Sequence, residues 1–112
     1  MSPLETLRAA RALIATPSSW CKDYEAVDVY GVSADAIEPQ AVAWCLVGAC
    51  ARAAGDGRTS SPVTLELDLT VLRGQRPYIS AVDLNDAEAA THADVLAVLD
   101  ETIARLAAEV QP

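Results

Sequence analysis

The stretch Pro39-Gln40-Ala41-Val42-Ala43-Trp44-Cys45-Leu46-Val47-Gly48-Ala49-Cys50-Ala51-Arg52-Ala53-Ala54-Gly55 decides the fold. Arg52 is its only charge. Pro39 suits a first helical position, where the N–H it lacks would go unpaired in any case. Gly55 suits the position just past a helix end, where a left-handed residue closes the last turn. The reading is a central helix from Pro39 to Ala54. A helix that is apolar almost all round is wrapped by other elements. Ala41, Cys45, Gly48 and Ala49 share one face at helical spacing and are small, so neighbours can approach closely. Trp44 sits beside that face as the largest filler.

Toward the N-terminus, Ser2-Pro3-Leu4-Glu5 is a helix start: Ser2 caps, Pro3 takes the first position and Glu5 completes a capping box. This helix is expected to run to about Ala15, with Leu4, Leu7, Ala10, Leu13 and Ile14 inward and Arg8 and Arg11 outward. Thr16-Pro17-Ser18 ends it. Ser18-Ser19-Trp20-Cys21 opens a short helical turn with Trp20 inward. The Trp-Cys dipeptide recurs at Trp44-Cys45, and both pairs are expected to anchor the core. Residues 22–38 are the least regular part. Val27, Val29 and Tyr30-Gly31-Val32 suit an irregular segment or a small β-hairpin around 24–33.

Toward the C-terminus, a connector over residues 55–60 leads to a stretch with two conflicting patterns. Val63, Leu65, Leu67, Leu69 and Val71 alternate with polar residues, as in a strand at 63–72. The ends read as a helix: Ser61 caps, Pro62 takes the first position, Arg73 lies in the last turn and Gly74 stops it. Leu65, Leu69 and Leu72 also share a helical stripe. Capping at both ends has no role in a strand, so a helix is expected. Gln75 to Leu84 is expected to be extended or looped, with Tyr78, Ile79 and Val82 available to the core, and Asp83-Leu84-Asn85-Asp86 is turn chemistry. Thr91-His92-Ala93-Asp94 is a second capping box. It opens a last helix from about His92 to Glu109, with Val95, Leu96, Leu99, Ile103, Leu106 and Val110 inward. The expected fold is mainly α, one globular domain over residues 1–112, a bundle of about four helices with a short irregular or hairpin segment. The alternative is α+β with a strand at 63–72.

The set Leu7, Ala12-Leu13-Ile14, Pro17 and Trp20-Cys21, then Ala43-Trp44-Cys45 and Gly48-Ala49, then Asn85-Asp86, Thr91-His92, Val95-Leu96, Leu99-Asp100 and Ile103 resembles a small bacterial and phage family of unknown function. Its members share a Trp-Cys-x-x-Gly-Ala helix and an Asn-Asp…Thr-His-x-x-Val-Leu helix start. They often carry an aromatic residue just before Asn-Asp, where this chain has Leu84. The resemblance implies a mainly helical fold with a helix at 62–73, and implies no activity.

Composition removes several classes of function. Sixteen acids against 8 bases give a net charge of −8, which repels a nucleic-acid backbone. There is no run of 18 apolar residues, so no membrane-spanning helix is expected. Met1-Ser2-Pro3-Leu4-Glu5 lacks the charged and apolar regions of a signal peptide. Three cysteines, an odd number, fit free thiols in a reducing cytoplasm. On one helix Cys45 and Cys50 would diverge by about 140°, and His92 is the only histidine, so no metal site is expected. Gly55 and Gly57 lack a following Lys-Ser/Thr, so there is no phosphate loop. No cofactor is expected.

Two constellations remain. Cys45 and His92, with Asn85 or Asp86 orienting the ring, have the residue types of a thiol-dependent hydrolase. A thiol inside an apolar helix is neutral and inert, however. The chain is read as non-enzymatic, with the hydrolase as the alternative. The second constellation is the acids. Asp83, Asp86, Glu88, Asp94, Asp100, Glu101 and Glu109 share their segment with one base, Arg105, while Asp23, Glu25, Asp28, Asp35 and Glu38 follow Lys22 without any. Gathered on one face, such carboxylates resemble a phosphate backbone and steer toward a basic partner. The expected function is an acidic protein-interaction module, a monomer or weak homodimer. Asp83, Asp86, Glu88, Asp94, Asp100 and Glu101 would contact a basic protein surface. Its specific form would be a phage-type, anti-CRISPR-like inhibitor that mimics nucleic acid. A structural subunit with Ala-rich contact faces is a third possibility.

Overall fold

Side-chain caps set most of the helix starts. The computed structural model describes residues 1–110. Helix α1 spans Pro3–Leu13, with Ser2 accepting from the Glu5 N–H. A 3-10 turn covers Pro17–Ser19. Three two-residue strands follow, β1 at Ala26–Val27, β2 at Ser33–Ala34 and β3 at Ala43–Trp44. Then come α2 (Leu46–Ala54), α3 (Pro62–Arg73), α4 (Ala81–Asp86) and α5 (His92–Glu109). The capping boxes Ser61/Thr64 and Thr91/Asp94 are both closed in each direction. The result is mainly helical with a small antiparallel sheet in the order β2-β1-β3. The stretch 63–72 is helical, so the capping signals outweigh the alternation.

The central helix starts later than the sequence suggests. Pro39 is not its first residue. Ala43–Trp44 pairs with β1 in register, Ala26 opposite Trp44 and Val27 opposite Ala43. Cys45 is the N-cap of α2, and its Sγ accepts from the Gly48 N–H at 3.3 Å. Ala41 and Trp44 therefore lie outside the helix. Gly55 does end it, at φ 76° in the left-handed region. Leu46–Ala51 are all buried, as an almost uncharged helix requires.

The hairpin β1–β2 is closed by Asp28, whose Oδ1 accepts from the Tyr30 and Val32 N–H groups, and by Gly31 at φ 78°. Helix α5 packs against both α1 and α3, so it buries two stripes. Val95, Leu99 and Leu106 are buried as expected, together with Val98 and Thr102. Val110 is 70 % exposed, which corrects its place in the inward stripe. Asp83-Leu84-Asn85-Asp86 is the body of α4, capped by Ser80, rather than a turn. Tyr78 packs against the core, while Ile79 and Val82 are exposed.

Candidate functional site

Asn85 is where the separate sequence motifs meet. Helix α4 turns it inward, and it is 1 % exposed. Its Oδ1 accepts from Trp20 Nε1 at 2.7 Å and from the Leu46 N–H at 3.0 Å. Its Nδ2 donates to the Cys21 carbonyl at 3.1 Å and to Asp86 Oδ1 at 2.9 Å. One amide thus ties the segment after α1, the first turn of α2 and α4 together. The Leu46 N–H is one of those a helix start leaves unpaired, so Asn85 caps α2 from a distance. Asp86 Oδ1 also accepts from the Asp23 N–H, and Lys22 Nζ donates to the Ala87 carbonyl while lying 5.5 Å from the Trp20 ring.

Cys45, His92 and Asn85 do not assemble into a triad. His92 Nε2 donates to the Ile14 carbonyl at 2.6 Å, with its ring 5.9 Å from that of Trp20. Asn85 is occupied by Trp20 and Leu46. Among the described residues no hydrogen bond joins Cys45 to His92. Burial pushes the Cys45 thiol up to about 11, outweighing the Gly48 N–H that favours its anion. Burial likewise pushes Cys21 to about 12, raised further by Cys45, Asp86 and Asp23, and Cys50 to about 12. A raised pKa leaves little thiolate at neutral pH. All three thiols of the folded chain should react with a soluble disulfide reagent at pH 7.5 at least roughly tenfold slower than free cysteine. A thiol reacting at the rate of free cysteine would contradict this. Because these pKa values rise on folding, the linked stability is complete below pH 9.0 and is lost as pH climbs to 11–12.

Two clefts adjoin along Asp23-Tyr24-Glu25. The first, about 210 Å³, has Cys45, Val47 and Asn85 among its lining, with Thr59, Val82 and Asp86. The second, about 400 Å³, lies at the open end of the β1–β2 hairpin and is lined by Asp23, Tyr24, Glu25, Ser33, Ala34, Asp35 and Glu38. Four carboxylates thus flank an edge strand, with the exposed rings of Tyr24 and Tyr30 on the same hairpin. Glu25 Oε1 accepts from the Ala36 N–H, and Glu38 Oε1 from the Asp35 N–H, so these two are held in place. Arg52, the cation behind them, is bonded to the Ala36 and Glu38 carbonyls and lies over Trp44. Among the described residues none of the four ion pairs involves a hairpin acid.

The six acids singled out from the sequence are used differently. Asp83 accepts from the Ile79 N–H, Asp86 from Asp23 and Asn85, and Asp94 from the Thr91 N–H. Asp100 pairs with Arg11 and Glu101 with Arg76, each at 2.9 Å. Glu88 is exposed on the short link between α4 and α5. The hairpin acids Asp23, Glu25, Asp35 and Glu38 are not among these six. The signal that favours them was the missing base after Lys22. The bond from Trp20 to Asn85 has no sequence signal, since 65 residues separate the two.

No curated protein and no solved structure gives a significant match to the chain. A family profile matches residues 1–105, a span that takes in Trp20-Cys21, Trp44-Cys45, Asn85 and Thr91. The chain belongs to DUF6197, a family of unknown function.

Proposed function

We propose that the chain is an acidic protein-interaction module whose contact face is the cleft at the open end of the β1–β2 hairpin, and that its partner is a basic protein surface. The observation that carries this reading is the contrast in how carboxylates are employed. Asp100, Glu101, Glu66 and Glu109 sit beside arginines, whereas Asp23, Glu25, Asp35 and Glu38 line one cleft without an ion pair. Unneutralised carboxylates around an exposed edge strand supply both charge attraction and backbone groups for a bound extended segment. Exposed tyrosines suit a contact surface, because they bring area with few rotatable bonds. An inhibitor that stands in for nucleic acid needs such unpaired carboxylates in a row. Four hairpin acids line one cleft, whereas of Asp83, Asp86, Glu88, Asp94, Asp100 and Glu101 the last two are held by arginines.

The test compares two triple variants that lose equal charge. The probe is a short oligolysine peptide titrated at low and high salt. D23N/D35N/E38Q is expected to weaken binding by roughly tenfold, from about 0.5 kcal/mol per charge. E88Q/D100N/E101Q is expected to weaken it less than about threefold. Equal losses in the two variants would mean that net charge alone matters, and would overturn the assignment of the face. Salt-independent binding would overturn the electrostatic reading.

A further inference from the structure

The two Trp-Cys dipeptides are neighbours in space. Trp20 and Trp44 form a parallel bridge, and the Cys21 N–H donates to the Trp44 carbonyl at 3.1 Å. In parallel pairing the next residues along each segment also lie side by side, and their side chains leave on the face opposite to the bridged pair. Cys21 therefore stands beside Cys45. Neighbouring strands lie about 4.8 Å apart, inside the roughly 4.4–6.8 Å between Cα atoms that a disulfide spans. Both sulfurs are free thiols. Cys21 is half-buried at the surface, and Cys45 lines the 210 Å³ cleft. Asp23, Asp86 and Glu25 are the acids around the two. Cys50 is 2 % exposed within α2, and its position five residues past the cap turns it about 140° from Cys45 around the helix.

We propose that Cys21 and Cys45 are a site of reversible disulfide formation within the native fold, made by exchange with a low-molecular-weight disulfide such as oxidised glutathione. The more exposed Cys21, as thiolate, attacks one sulfur of glutathione disulfide. A protein–glutathione mixed disulfide forms and one glutathione leaves. The Cys45 thiolate then attacks the Cys21 sulfur and expels the second glutathione. Two electrons pass from the protein thiols to the glutathione disulfide, and the two thiol protons end on the released glutathiones. The new bond replaces the contact from Cys45 Sγ to the Gly48 N–H and ties both ends of the β-hairpin segment together. Both thiols are mostly protonated at neutral pH, so exchange is slow there and faster at alkaline pH.

The experiment uses the reduced, folded full-length chain, incubated with excess oxidised glutathione at pH 8.5 without denaturant, then acid-quenched, alkylated and mapped by mass spectrometry. The expected result is loss of two of the three thiols, a mass decrease of about 2 Da and a peptide linking Cys21 to Cys45, with the same link in Cys50→Ala. The linked form should melt higher, by on the order of 10 °C. A stable glutathione adduct on Cys21, a link that needs Cys50, or three thiols persisting in a folded chain would each overturn the proposal. So would a linked form that melts lower than the reduced one, since native geometry would then not hold the bond. If Cys50→Ala does not fold, fragmentation of the linked wild-type peptide assigns the partner sulfur.

Discussion

Asn85→Ala is expected to lower the stability of the chain by about 3–5 kcal/mol. The substitution removes a side chain that closes four hydrogen bonds in a site 1 % exposed. Trp20 Nε1, the Leu46 N–H and the Cys21 carbonyl would be left without their partner. Each buried orphan costs about 1–3 kcal/mol, less where water enters from the neighbouring cleft. For a chain of this size the loss corresponds to a melting shift on the order of 15 °C. Asn85→Asp keeps the acceptor for Trp20 and Leu46 but loses both donors. It also sets a second carboxylate against Asp86. It should therefore destabilise the chain too. Urea unfolding followed by tryptophan fluorescence measures both variants. A loss below about 1 kcal/mol for Asn85→Ala would show that the junction it closes contributes little to the fold.

The same residue shows where sequence reading stops. Helix α5 was legible because Thr91 and Asp94 cap each other over three residues and the apolar stripe follows at helical spacing. Helix α3 was legible because Ser61 and Gly74 bracket it, although its alternation argues otherwise. These signals are local. The start of α2 was misread because its true cap is a cysteine, and a thiol is not among the usual capping groups. Pro39 has a fixed φ that serves a loop before a strand as well as a first helical turn. The pairing that makes Ala43–Trp44 a strand comes from β1, 16 residues earlier at the Val27–Ala43 end and 18 at Ala26–Trp44, and cannot be seen at 43–44 alone. Asn85 reads as a turn residue for the same reason. What holds it in α4 is its bonding to Trp20 and Leu46, which are distant in sequence.

Charge illustrates a second limit. The sequence shows how many acids there are, while the fold decides which of them are neutralised. Arg11 is 89 residues from Asp100, and Arg76 is 25 from Glu101. Neither pairing follows from spacing along a helix. Arg105 reaches Glu66 on α3 at 2.6 Å as well as Glu109 on its own helix at 3.7 Å. The pairs made by the exposed Asp100, Glu101 and Glu109 add little stability individually. Their effect is on the field: they reduce the net negative charge that α5 offers, while none of them reaches a hairpin acid.

Gly48→Ala should carry the opposite sign from that of an ordinary helical glycine. In a helix interior alanine is favoured over glycine by about 1 kcal/mol. At position 48 an added Cβ would lie 1.9 Å from the Glu25 carbonyl oxygen and 2.8 Å from its carbon. Those are backbone atoms, so no rotamer change relieves the overlap. The same carbonyl accepts from the Cys45 N–H at 3.1 Å, which fixes the approach of the hairpin to the start of α2. Making room means sliding α2 away from Glu25, and that motion also pulls Leu46 off Asn85. The net effect is expected to be a loss of about 3 kcal/mol, or no folded chain at all. Gly74→Ala is the matched comparison. There the new Cβ would meet Arg76 Nη1 at 2.0 Å, the end of a flexible side chain, and the φ of −76° suits alanine. Its change should stay within about 1 kcal/mol. Measured together by urea unfolding, the two variants separate a backbone contact from a side-chain one. If both left stability unchanged, the close seating of α2 on the hairpin would be refuted, and with it the reason a glycine stands four residues after Trp44.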